Sequence, residues 1–197
     1  MQTYFYDGVL PEINHRVRGT LPSMTEYTEL RVESSGSYPI FDLIEPAIGI
    51  ELPPDIAAHP LIQHARKVAA VVISWANDVL SCHKERGPRG ALNLPALLVA
   101  DCGLSDGQAL DVTVGIHNAE MRHYLSLKQD VLKVAALDCA AVHAWLRGLD
   151  VVMRGLLGWQ LEAARYTYGR QLAVRIDGAG REGCARPPAS PLSRTDG

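Results

Sequence analysis

One stretch constrains this chain more than any other. From Val68 to Val79 it reads V-A-A-V-V-I-S-W-A-N-D-V, apolar on nearly every face at helical period, so a helix there is buried on most sides. The stretch runs straight into Asn77 to Glu85, N-D-V-L-S-C-H-K-E. Asn77, Ser81 and Glu85 stand at i, i+4 and i+8, so their side chains stack along one face with about 40° of drift per step. Polar groups on so buried a helix need a partner or a ligand. An amide carbonyl, a hydroxyl and a carboxylate in a row suit a hard cation such as Mg²⁺, with water or phosphate oxygens completing the octahedron. Lys84, beside Glu85, is placed to reach a phosphate as a mobile point charge. The residues therefore predict a helix-borne Mg²⁺ site for a phosphorylated substrate. The bland alternative is an ordinary solvated helix face.

The rest of the chain reads as helix after helix. Residues 3–18 form the end of one helix, followed by a turn at Gly19 and Pro22. Ser23 with Glu26 three positions on is a capping box, opening a helix to about Ser34. Gly36 and Pro39 break it, and a second piece covers about 38–48. Pro53, Pro54 and Pro60 punctuate the approach to the motif helix, about 60–84, and Gly87, Pro88 and Gly90 make a mobile loop after it. A short helix near 93–101, a long one from a Ser105 cap to about 128, and another over about 136–154 follow. The run beyond Gly178 is rich in Pro, Gly and Ser without an apolar period, so it reads as a disordered tail. No strand-period segment or repeat is present.

Composition narrows the function classes. The 197 residues, 47% hydrophobic and 21% charged, are ordinary for a globular unit with a real core. A net charge of −3 with no basic stripe argues against nucleic acid as a partner. Cys82, Cys102, Cys139 and Cys184 form no CxxC and share no zinc spacing with histidine, which fits reduced thiols in a cytoplasm. His117 and His123 fall on opposite faces of a helix, so they make no metal pair. His83 reads as exposed, Glu120 and Arg122 as surface charges, and Asp78 as a cap or salt-bridge former rather than a metal ligand. No signal peptide opens the chain, and no apolar run is long enough to span a bilayer.

N-D-V-L-S-C-H-K-E resembles the second metal-binding motif of class I terpene synthases, the Asn/Ser/Glu triad that holds one of that family's three Mg²⁺ ions. Two further features stand at the family's spacing. Arg31 lies 46 residues before Asn77, where bacterial members carry an arginine that senses the diphosphate. Arg165-Tyr166 begins 80 residues after Glu85, where they carry a diphosphate-binding Arg-Tyr pair. Arg31 to Glu45, R-V-E-S-S-G-S-Y-P-I-F-D-L-I-E, looks like the family's broken helix. Ser34 and Ser35 take its linker and effector positions, where Asp and Gly are commoner. The similarity runs from about residue 4 to about residue 172.

The resemblance implies an all-α fold, a partial α-helical bundle of the class I terpene synthase (isoprenoid synthase) type. Residues 1–177 would be the C-terminal part of the metal-binding domain and 178–197 the tail. It implies a Mg²⁺-dependent cyclase, with Mn²⁺ as the substitute ion, acting on farnesyl or geranyl diphosphate. Asn77, Ser81 and Glu85 would hold the metal, and Arg31, Lys84, Arg165 and Tyr166 the diphosphate. Arg31 and the carbonyl of Ser35 would trigger ionisation. Phe41, Trp75 and Trp159 are candidates to line the carbocation pocket by cation–π attraction, with plain core packing as the alternative for each.

One departure is severe. The family's Asp-rich motif belongs on a helix upstream of Arg31, yet residues 1–30 offer only the isolated acids Asp7, Glu12, Glu26 and Glu29. A complete domain of this kind runs to roughly 300 residues. The expectation is thus a C-terminal portion, inactive alone, with a homodimer partner or a missing N-terminal portion as the candidate partners. The competing reading is a non-catalytic helical relic or binding module that keeps one metal and diphosphate site. A prenyl-chain elongating enzyme fits less well, because those use a second Asp-rich motif.

Overall fold

Asn77 is the one residue between Val68 and Cys82 that is not buried, and the molecule is organised around that helix. The computed structural model describes residues 4–85 and 92–166. The predicted loop at Gly87, Pro88 and Gly90 and the predicted tail lie outside the described residues. A π-helical turn at Tyr4–Val9 leads into α1 (Leu10–Arg18), followed by α2 (Met24–Ser34), α3 (Ser37–Phe41), α4 (Ile44–Ile48), α5 (Pro54–Ala57), α6 (Pro60–Glu85), α7 (Leu94–Cys102), α8 (Asp106–Lys133) and α9 (Ala140–Glu162). No strand occurs among the described residues. The long α6 touches α2, α3, α5, α7, α8 and α9, which is why it is apolar all round.

Local chemistry sets the helix ends. Ser23 Oγ accepts from the Glu26 N–H while the Glu26 carboxylate accepts from the Ser23 N–H, closing the predicted box. Ser105 and Gln108 do the same for α8. Gly36, at φ +74°, occupies the left-handed region that lets the chain turn between α2 and α3.

Three boundaries differ from the sequence reading. The predicted piece over 38–48 is two short helices, α3 and α4, interrupted at 42–43. Pro46 has no N–H to return to the Asp42 carbonyl, and the Asp42 side chain pairs with Arg66 at 2.6 Å. Pro54, at the first turn of a helix where a missing N–H costs nothing, starts the unanticipated α5. Finally, α9 begins at Ala140 and continues to Glu162, past Gly155 and Gly158. Leu157 and Leu161 pack there on the apolar cluster of Ala76, Val79 and Leu80, so burial outweighs the weak propensity of glycine.

Gly8 marks a tight crossing. A Cβ on it would lie 2.7 Å from the backbone of Glu33 and Ser34, at the end of α2 that carries Arg31. Backbone cannot move aside as a side chain can. Gly8→Ala is therefore expected to lower stability by about 1–3 kcal/mol, read as a shift in urea midpoint at unchanged slope; an unshifted midpoint would mean that the crossing is loose.

Candidate functional site

Three helices and the segment that follows α9 bring predicted residues together around the last turns of α6. Asn77 joins two of them. Its Oδ1 accepts from Arg31 Nη2 at 2.8 Å, and its Nδ2 donates to the Tyr166 hydroxyl at 3.1 Å. One turn on, the Ser81 hydroxyl is buried and has no hydrogen-bond partner among the described residues. Another turn on, Glu85 accepts from Asn93 Nδ2 at 3.0 Å through Oε2, and its Oε1 lies 3.9 Å from Lys84 Nζ.

Cations gather over the Tyr166 ring. Lys84 Nζ lies 5.1 Å and Arg165 Cζ 5.5 Å from its centroid, within cation–π range. Burial and the neighbouring Arg165 charge lower the Lys84 pKa, against the pull of Glu85. Trp159 meets the same ring edge-on at 5.8 Å and is 54% exposed. Arg31, Asn77, Lys84, Trp159, Arg165 and Tyr166 thus form one continuous cluster.

Beside the ridge, Asp78 is the best-connected acid of α6. It is buried, and it accepts from Arg31 Nε at 2.9 Å, the Tyr27 hydroxyl at 2.7 Å and the Leu94 N–H at 2.9 Å. Burial pushes its carboxyl above the usual range, against the pull of Arg31, Tyr27 and the Leu94 N–H. Burial also opposes charge on Arg31, but Asp78 and Tyr27 outweigh it and the guanidinium is held more firmly protonated than usual. The salt bridge expected of Asp78 is present, and it secures Arg31. Ser34, at the implied linker position, does not: its hydroxyl is buried without a partner among the described residues. Ser35 sits at the helix break with its hydroxyl donating to the Val32 carbonyl and meeting Ser37.

The other aromatic candidates stand apart. Trp75 is roughly 160° around α6 from Asn77, buried and stacked on Tyr27 at 5.9 Å. Phe41 is buried against Tyr38. An apolar groove of about 580 Å³ lies elsewhere, between α3–α4 and α9, lined by Ile40, Leu43, Ile44, Ile48, Val151 and Val152; it holds none of the three. His117 is buried while His123 is exposed, as opposite faces require.

Sequence reasoning missed Tyr27 and Asn93. The first carried a signal, since Tyr27 precedes Arg31 by one turn on the same face of α2. The second stands before Leu94-Pro95 as a helix cap, which says nothing of the distant partner it also holds.

The donor set fits a hard divalent cation. A buried hydroxyl without a partner costs free energy, and this one lies between an amide oxygen with a second lone pair and a carboxylate. Among the described residues no three His, Cys, Asp or Glu side chains form a metal cluster; a metal on this ridge would need its mixed oxygens. No described helix is long and apolar enough to cross a membrane.

Comparisons with known proteins give the family. A family model described as terpene synthase family 2, C-terminal metal binding, matches residues 1–123. The (+)-eremophilene synthase of Sorangium cellulosum is 31% identical over 172 residues, 87% of this chain and 52% of that protein. The (+)-T-muurolol synthase of Roseiflexus castenholzii, named as cyclizing (2E,6E)-farnesyl diphosphate, is 31% identical over 155 residues, 79% and 48% of the two. The crystal structure of 2-methylisoborneol synthase from Streptomyces coelicolor in complex with Mg²⁺ and geranyl-S-thiolodiphosphate has a TM-score of 0.76 at 26% identity, covering 83% of this chain and 53% of that one. The chain spans about half the length of these relatives. With its all-α fold and the match to the family's metal-binding region, the chain belongs to the terpene synthases.

Proposed function

We propose that this chain binds one Mg²⁺ ion on the α6 ridge and grips the diphosphate of a prenyl diphosphate, farnesyl diphosphate foremost, as the C-terminal half of a terpene cyclase site. Carrying the reading is the Ser81 hydroxyl, buried between Asn77 and Glu85 without a partner among the described residues. Ser81, Asn77 Oδ1 and Glu85 hold the ion; Mn²⁺ takes the same oxygens. When bound, the ion neutralises charge that develops on the diphosphate as the carbon–oxygen bond breaks.

The chain's own residues supply the rest of the grip. Arg31, fixed through Nε by Asp78, presents its other N–H groups toward Asn77 and the diphosphate oxygens. Lys84 and Arg165 add mobile positive charge beside the Tyr166 ring. Tyr166 orients the Asn77 amide, and Trp159 offers an aromatic face beside the cluster for an allylic cation. Alone, the chain is expected to release no diphosphate from farnesyl diphosphate, because it has ligands for one ion where the family resemblance implies three.

Calorimetry with Mg²⁺ and inorganic pyrophosphate tests the grip. Lys84→Ala and Arg165→Ala are each expected to weaken pyrophosphate binding about tenfold, or about 1.4 kcal/mol, and more so at low salt. Binding indifferent to both substitutions would contradict the proposal.

A further inference from the structure

Asn93 and Leu94, the cap and first residue of α7, hold two carboxylates of α6 at once. Asn93 is buried and uses both ends of its amide: Oδ1 accepts from the Ala96 N–H at 3.0 Å, and Nδ2 donates to Glu85 Oε2 at 3.0 Å. The next N–H, of Leu94, donates to Asp78 Oδ2. Asp78 and Glu85 are seven residues apart, two turns of one helix, so the start of α7 spans the ridge between them.

We propose that Asn93 is a positioning residue for the ion-binding carboxylate of Glu85, with the start of α7 as a clasp across the ridge. The inference rests on the reading of that ridge as a divalent-cation site. A donor on Oε2 fixes the carboxylate rotamer before an ion arrives, so binding does not have to freeze it. Side chains that orient a metal-ligating group commonly matter to affinity nearly as much as the ligand itself. The same residue must also cap α7, where the Ala96 N–H needs an acceptor. Asparagine meets both demands, because its oxygen caps α7 while its nitrogen holds Glu85. Serine can cap as well, but it is too short to reach Glu85.

Asn93→Ser therefore separates the two roles. In a Mn²⁺ titration of the full chain with inorganic pyrophosphate, followed by electron paramagnetic resonance, the Mn²⁺ dissociation constant is expected to rise about 10–100-fold. The melting temperature without metal is expected to stay close to that of the unaltered chain. Asn93→Gly, which leaves a tolerated cap, is expected to show the same loss and serves if the serine variant folds poorly. Unchanged Mn²⁺ affinity in both, with Glu85→Ala still weakening it, would overturn the clasp and leave the ridge standing. Mn²⁺ affinity unmoved by Glu85→Ala would overturn the ridge, and the clasp with it.

Discussion

Asp78→Ala is expected to lower the stability of the fold by about 3–5 kcal/mol, the cost of breaking a buried ion pair from one side. Arg31 would keep its charge with a side chain only 14% exposed, the Leu94 N–H would lose its side-chain acceptor, and the Tyr27 hydroxyl would keep only the longer contact, 3.4 Å, to the Leu92 carbonyl. Three segments meet at this carboxylate, so its loss is felt in α2, α6 and α7 together. Urea unfolding of the single and double variants separates the pair from its parts. Arg31→Met combined with Asp78→Leu is expected to recover most of the loss, because neither group then lies buried and unpaired. A fall below about 1 kcal/mol in Asp78→Ala would show that Arg31 escapes to water.

Ser81→Ala is expected to act with opposite signs on stability and on binding. Without ligands, the variant gains about 1 kcal/mol, because a buried hydroxyl without a partner is removed and its helix position favours alanine. With Mg²⁺ and pyrophosphate, it loses the rise in melting temperature that binding confers on the unaltered chain. A surface serine would show neither effect. A structural serine would show a loss of stability in both conditions. Scanning fluorimetry with and without the two ligands reads both signs in one experiment.

What the chain wrote locally was legible. The apolar run of α6, the Ser23 and Ser105 caps and the Gly36 turn each depend on residues within a few positions of one another, and each stands in the structure. The 3.6-residue period was enough to stack Asn77, Ser81 and Glu85. It also places Trp75 across the helix from them, a geometry that its size and aromatic character obscured. Other features depend on distant partners. Asp78 was readable as a salt-bridge former, but its partner Arg31 lies 47 residues away. The extension of α9 past Gly155 and Gly158 is decided by the cluster it packs on, not by its own residues. Asn93 looks like an ordinary cap, and its bond to Glu85 emerges only when α7 folds back on α6. The break at 42–43 was within reach, since Pro46 alone forbids the continuous helix expected there.

The central claim is that three oxygens of one helix, Asn77 Oδ1, Ser81 Oγ and a Glu85 carboxylate oxygen, form a divalent-cation seat. Counting bound Mn²⁺ by electron paramagnetic resonance at saturating pyrophosphate tests it most directly. The expected result is one ion per chain, lost in both Ser81→Ala and Glu85→Ala. The same ion count in either variant as in the unaltered chain would contradict it.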